Sequence, residues 1–323
     1  MYQEFYGLRA APFELALNPH QLLLTPQHEE ALANLELGIR SQLGITVLTG
    51  EAGTGKTSLI RAAFARAEAQ RPGATARWAL LRNPTLSRIE FKEFLVSAFQ
   101  LHVVGDLSKV RLLDALERQL LQGVRAVLIV DEAQSVPHEL LEEVRLLANV
   151  ESDSAKLLPV VLVGQPELAA RLNEPSLRQL KQRVALRCSL GPLTLRQTGA
   201  YMTWRIQQAG GAPVNLFSRD AVVAIHERSG GIPRIINVIC HNALLTAFAD
   251  GVRPVTRQIV DAVCRDFDLS PIASSASAHQ LDMPAAQPNV TAFPRPSIQD
   301  APHRSSEPAR WNLWRRLPGR GRA

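Results

Sequence analysis

The stretch ITVLTGEAGTGKTSLIRAAFARA, residues 45–67, runs three patterns together without a break. ITVLT (45–49) is a short β-prone apolar run, and GEAGTGKT (50–57) fits G-x-x-x-x-G-K-[ST]. SLIRAAFARA then continues with helical character. A strand feeding a glycine loop that opens a helix is the context in which this pattern cradles phosphate. Gly53 and Gly55 let the backbone bend tightly, so that N–H groups converge at a helix N-terminus, where partial positive charge favours an anion. The candidate nucleotide-binding residues are therefore Gly50, Glu51, Ala52, Gly53, Thr54, Gly55, Lys56, Thr57 and Ser58. Lys56 is expected to reach the β- and γ-phosphates of ATP, and the Thr57 hydroxyl to ligate Mg²⁺.

Working outward, four more apolar runs follow: ARWALL (76–81), AVLIV (126–130), LPVVLV (158–163) and VALRCSL (184–190). Amphipathic stretches such as LSRIEFKEFLVSAFQL and LEEVRLLANV separate them. Near-continuous Val/Ile/Leu runs suit strands covered on both faces, hence a parallel sheet with crossover helices. The fold class expected is α/β, a three-layer P-loop fold with a parallel five-stranded sheet.

After Gly191 the pattern turns helical. Thr194 with Gln197 forms a capping box, Gly210-Gly211 closes that helix, and SRDAVVAIHERSGG and TRQIVDAVCRDF supply two more. From Pro271 to Pro318 the chain is rich in Pro, Ala, Ser and Gln and too polar to offset its chain entropy, which predicts disorder. The expected organisation is an ATPase domain over 1–190, a small helical lid over 191–268 and a disordered basic tail over 269–323.

VLIVDEAQSVP (127–137) sets Asp131 and Glu132 at a strand end. With the phosphate loop upstream, Asp131 is expected to hold Mg²⁺ and Glu132 to polarise the attacking water. Together the two acids point to hydrolysis rather than binding alone. DEAQ is also a helicase-like tetrapeptide, but that machinery needs a second α/β motor domain. The residues beyond Gln165 are mainly helical or tail, and no arginine-rich helicase stretch follows. Gln134 has no assigned role.

One α/β domain with a helical lid is the layout of the AAA+ superfamily, and further strings resemble it. LPVVLVGQPEL puts Gln165 where that superfamily keeps a first sensor of the γ-phosphate. LRQLKQRVALR carries Arg183, Arg178 and Arg187 where an arginine finger would reach a neighbouring subunit's ATP, with Arg183 the first choice. SGGIPRIIN (229–237) places Arg234 as the second sensor. These strings, with the FYGL-x₃-PF opening and VGQPEL, resemble the ATPase domain of the ExeA family, general secretion pathway protein A relatives among the ORC/DEAH-type AAA+ ATPases. That resemblance covers nearly all of 1–268. It implies an adenine pocket around Asn18 to Leu35, near Pro26 and His28, and a homo-oligomer acting on a secretion or export apparatus. Secretion-type members also carry a transmembrane helix and a peptidoglycan-binding domain, for which this sequence has no counterpart.

Composition constrains the alternatives. The 323 residues are 46% hydrophobic and 20% charged, with no apolar run long enough to cross a bilayer and no leader-like N-terminus. The expected location is cytoplasmic, at most peripheral to the inner membrane. Three dispersed cysteines argue for buried thiols and against zinc or disulfides. Of the formal charge of +6, seven arginines against three acids after Ser270 supply most, so the near-neutral folded part does not advertise a phosphate-backbone groove, and DNA is not the favoured partner. A DNA-transposition accessory ATPase of the TniB type and a slow nucleotide switch remain as competing functions. In the tail, Trp311, Leu313 and Trp314 beside Arg310, Arg315 and Arg316 would suit an anionic membrane surface or be incidental to a disordered segment.

Overall fold

The computed structural model describes residues 2–14, 23–69, 76–82, 85–151, 156–212 and 216–269. The expected disordered tail from 270 onward, its tryptophans, and the part of the expected adenine pocket over 18–22 lie outside the described residues.

After α1 (Tyr2–Tyr6) and α2 (Pro26–Arg40), the chain forms β1 (Ile45–Gly50), α3 (Lys56–Ala69) and β2 (Ala76–Leu81). Then come α4 (Arg88–Phe99), α5 (Lys109–Leu121), β3 (Arg125–Val130), α6 (His138–Leu147) and β4 (Val160–Gly164). Two short helices, α7 (Glu167–Arg171) and α8 (Arg178–Lys181), lead into β5 (Val184–Leu190). The remainder is helical: α9 (Leu195–Gln208), α10 (Arg219–Ser229), α11 (Pro233–Ala249) and α12 (Arg257–Asp266).

All five strands pair in parallel, in the order β2-β3-β4-β1-β5. The expected apolar runs match them to within two residues. The middle strand β4 is buried at every position, as a strand covered on both faces should be. The edge strand β5 alternates, with Ala185, Arg187 and Ser189 exposed and Cys188 and Leu190 buried. Helices on the two faces generate two apolar clusters, one around Leu128, Phe91, Phe99 and Leu162 and one around Leu48, Leu59, Leu35 and Val163.

The strand order explains why chemistry gathers at one edge. β1 and β3 flank β4, and Thr49 pairs with Gly164 while Val130 pairs with Leu162. The carboxyl ends of these three strands therefore lie side by side, and Gly50, Asp131 and Gln165 stand at or just beyond them, where open α/β sheets bind ligands.

Local signals behave as the residues dictate. Ser87 and Glu90, and likewise Thr194 and Gln197, form reciprocal capping boxes that satisfy the first free N–H groups of α4 and α9. α10 ends on Gly230, whose positive φ suits a C-terminal glycine.

The helical part has its own core, in which Met202, Ile206, Ile225, Ile239, Leu244 and Val260 are buried. The sequence grouped the N-terminal residues with the α/β part, yet Tyr2, Tyr6, Leu8 and Phe13 pack into this helical core. The Tyr6 hydroxyl donates to the Leu244 carbonyl at 3.1 Å, and Arg9 N–H to the Ala209 carbonyl at 2.7 Å. Burying each of these aromatics contributes about 1.5–3 kcal/mol, so the N-terminal arm is firmly anchored. Cys240 and Cys264 are buried in the same core, Cys188 in the sheet's, and all three are free.

Candidate functional site

A cavity of about 430 Å³ opens above the carboxyl edge of the sheet. Its wall includes Ala52, Gly53, Thr54, Gly55, Lys56, Thr57 and Ser58, both Asp131 and Glu132, and Arg234. The loop between β1 and α3 is shaped from within. Gly53 and Gly55 adopt φ of +87° and +102°, a region costly for a residue with a Cβ. At Gly50 a Cβ would come within 2.7 Å of the Leu190 carbonyl. Thr54 Oγ1 donates to the Glu51 carbonyl at 2.8 Å, closing the turn.

Lys56 opens α3 and is buried. Its Nζ donates to the Gly50 and Glu51 carbonyls at 2.6 and 3.0 Å. Gly50 and Glu51 thus act behind the cavity wall, through their carbonyls. Burial lowers the Lys56 pKa, while the carboxylates of Glu132, Asp131, Glu51 and Glu167 pull it back up.

Asp131 and Glu132 end β3 together. Glu132 adopts a left-handed conformation, φ 50° and ψ 41°, rare for a non-glycine residue and of the kind found where side-chain direction matters. Its N–H donates to Asp131 Oδ1 at 3.0 Å. Burial raises the Asp131 pKa, as does the charge of Glu132; the Glu132 N–H, Lys56 and Arg82 act against the rise. Burial thus outweighs the positive partners that Asp131 has within the chain.

Gln165 stays off the cavity wall but touches its chemistry, because its Nε2 donates to Glu132 Oε2 at 3.4 Å. Arg234, at the start of α11, approaches the phosphate loop directly, its N–H donating to the Gly53 carbonyl at 3.3 Å. The three arginines expected near β5 are not brought to this cavity. Arg178 and Arg187 are exposed, and Arg183 precedes β5 beside the start of β1, at the opposite edge of the sheet.

Other wall residues lie outside the phosphate loop and the acidic pair, and among them Thr25 and His28 fall in the stretch expected to line an adenine pocket. Thr25 and His28 come from the start of α2, where Thr25 caps the helix through the His28 N–H. His28 is buried between Thr25 Oγ1, 2.7 Å from its Nδ1, and the Thr54 carbonyl, 3.2 Å from its Nε2. The carbonyl requires a proton on Nε2, so Nδ1 accepts from Thr25 in the neutral ring. Burial lowers the His28 pKa against the opposing Thr54 bond. From the helical part come Tyr201, whose hydroxyl donates to Asn237 Oδ1 at 2.9 Å, and Arg205. Buried Arg205 donates to the carbonyls of Pro12 and Glu14 at 2.6 and 2.7 Å, holding the N-terminal arm beside the cavity.

These residues suit a nucleoside triphosphate with magnesium: a glycine loop at a helix N-terminus, an ammonium, a hydroxyl at Thr57 and the carboxylate of Asp131. Among the described residues no group of three His, Cys, Asp or Glu side chains gathers to hold a metal unaided. A magnesium ion here would share its coordination with phosphate oxygens and water, its usual habit.

Comparison with known proteins agrees. An AAA domain family model matches residues 39–172, which span the phosphate loop, Asp131, Glu132 and Gln165. Over 255 residues the chain is 42% identical to general secretion pathway protein A of Aeromonas hydrophila, covering 78% of this chain. The chain belongs to the AAA-type relatives of general secretion pathway protein A. It spans about half the length of that relative, 46%.

Among solved structures, this AAA-family chain is similar in fold to Cdc6p from Pyrobaculum aerophilum, with TM-score 0.62 and 19% identity over 79% of this chain and 70% of that one. It is likewise similar to the Aeropyrum pernix ORC1 protein, solved in complex with DNA, with TM-score 0.59 and 19% identity over 80% and 70%. At that identity the likeness establishes the fold: a P-loop sheet followed by a helical part. None of the described helices is long and apolar enough to cross a membrane.

Proposed function

We propose that this protein hydrolyses ATP with magnesium and uses the resulting rearrangement to assist assembly of a secretion or export apparatus. The observation that carries the reading is the meeting of Lys56, Asp131 and Glu132 at one cavity, under a glycine loop, in a relative of general secretion pathway protein A.

In this reading the loop N–H groups from Ala52 to Ser58 and the Lys56 ammonium bind the phosphates, while Thr57 and Asp131 hold the magnesium ion. The ion supplies charge neutralisation at the β- and γ-phosphates. Glu132 orients a water and accepts its proton as the new oxygen–phosphorus bond forms and the bond to ADP breaks. Gln165, bonded to Glu132, and Arg234, at the mouth of the helical part, register the γ-phosphate. Because Arg234 contacts the loop at Gly53, loss of that phosphate is transmitted to α11 and to the helices packed on it. Arg183 acts on a neighbouring subunit's nucleotide in a homo-oligomer. The working position is cytoplasmic, peripheral to the inner membrane, with the apparatus as partner.

The test is steady-state ATPase assay beside nucleotide binding. Lys56→Ala should lose binding, whereas Glu132→Gln should bind ATP and lose about 10²–10⁴-fold in turnover. A Glu132→Gln protein with wild-type turnover refutes the base, and a wild type that never hydrolyses ATP refutes the reading.

A further inference from the structure

Gln134 lies in the turn after β3, outside the cavity wall, and none of the roles above uses it. Its side chain nevertheless spans the two strand ends that carry the chemistry. Nε2 donates to Glu132 Oε2 at 2.6 Å, and Oε1 accepts the backbone N–H of Gln165 at 3.1 Å. The amide orientation follows from its partners: a backbone N–H faces only an acceptor, so the NH₂ group must face the carboxylate.

The bridge is built in from all sides. At Gly164 a Cβ would come within 2.6 Å of Gln134 Oε1, so the amide passes over a bare glycine at the end of β4. The Gln134 carbonyl accepts from the Arg171 guanidinium on α7, which also reaches the Ala133 carbonyl at 3.5 Å. One end of the amide is therefore tied to the sheet and the other to a carboxylate on a left-handed residue. Gln165 Nε2 reaches the same Oε2 at 3.4 Å. Among the described residues both amide donors converge on Oε2, and no donor meets Oε1. One carboxylate oxygen is clamped, and the other is left to take a proton.

We infer that Gln134 is a positioning residue for ATP hydrolysis, holding Glu132 in register with Gln165 so that Oε1 is presented to water. This rests on the hydrolytic reading above. Gln134→Leu removes both bonds in a side chain of similar bulk. Its kcat should fall about 10²-fold, the order expected when a reacting group is misplaced by about 1 Å, with KM for ATP unchanged. Gln134→Glu is the sharper probe. The introduced carboxylate still accepts from Gln165 N–H, but toward Glu132 it presents like charge in place of a donor. Its kcat should be low at neutral pH and recover relative to wild type on acidification, when the new acid gains a proton to donate.

The measurement is steady-state ATPase kinetics with magnesium across pH for wild type, Gln134→Leu, Gln134→Glu and Glu132→Gln. Gln134→Leu at wild-type kcat, or with a raised KM alone, overturns the inference, as does a Gln134→Glu pH profile superimposable on wild type. Should the leucine variant not fold, the near-isosteric glutamate variant decides by its profile. A wild type without turnover removes the hydrolytic reading and this inference with it; wild-type turnover with indifferent Gln134 variants removes the inference alone.

Discussion

The backbone N–H of Arg234 donates to the carbonyl of Gly53 at 3.3 Å, so the phosphate loop and the first turn of α11 touch directly. The contact is close enough that side-chain atoms crowd the glycine. A Cβ at Gly53 would lie 2.6 Å from Arg234 Cβ and 3.1 Å from Ile232 Cγ2.

Gly53→Ala should therefore damage both sides of that contact. The left-handed φ costs about 1–2 kcal/mol with a Cβ present, and the crowding adds to it. Urea unfolding should show a lower midpoint than wild type, and ATP affinity should drop. An alanine variant with unchanged midpoint and affinity would mean that the loop and α11 separate freely.

Arg205→Ala strips two carbonyls, Pro12 and Glu14, of a buried charged donor. Hydrogen bonds to charged groups contribute about 1.5–3 kcal/mol each. Limited proteolysis should cut the N-terminal arm faster in the variant, ahead of global unfolding. Cleavage at the wild-type rate would show the arm to be held by its aromatics alone.

Two titrations leave opposite marks on stability. His28 has a folded pKa depressed by burial below its ordinary 6.5, so the neutral ring is favoured in the fold. Its contribution is full above pH 6.5 and is lost as pH falls through the folded value. Asp131 has a folded pKa raised above its ordinary 3.8, so its contribution is present below that pH and is lost as pH rises through the folded value. Thermal melts against pH should thus show a shallower acid decline for His28→Gln. Asp131→Asn should be more stable than wild type at pH 7, while hydrolysing ATP poorly. Parallel melting curves for all three proteins would refute both assignments.

Arg183 lies across the sheet from the cavity of its own chain, so a catalytic part for it requires a neighbour. Arg183→Ala should lower specific activity at high protein concentration and match wild type under dilution to monomer. An equal deficit at every concentration would assign the loss to folding within one subunit.

The sheet and the phosphate loop were legible because each rests on local chemistry. Runs such as AVLIV and LPVVLV have no soluble alternative to burial, and GEAGTGKT carries its own turn geometry. The capping pair Thr194/Gln197 is legible for the same reason. The wall residues of the helical part, Arg234 apart, were not. Arg205 reaches residues more than 190 positions away, and Tyr201 meets Asn237 across two helices. Gln134 reads as a polar turn residue until β4 is set beside β3, since its partner Gln165 is 31 positions distant. Periodicity reports which face of an element is buried, but not which distant carbonyl a buried arginine will find.

The hydrogen bond from Tyr6 to Leu244 joins residues 238 positions apart, which gives the protein an order of assembly on the ribosome. The first turn of the chain emerges long before the helix it packs against has been made. The five strands between them can dock as they appear, but Tyr2, Tyr6 and Phe13 must wait with their rings in water. Until α11 is made, those rings lack the core they pack into, so exposed apolar surface at the N-terminal arm marks an unfinished chain.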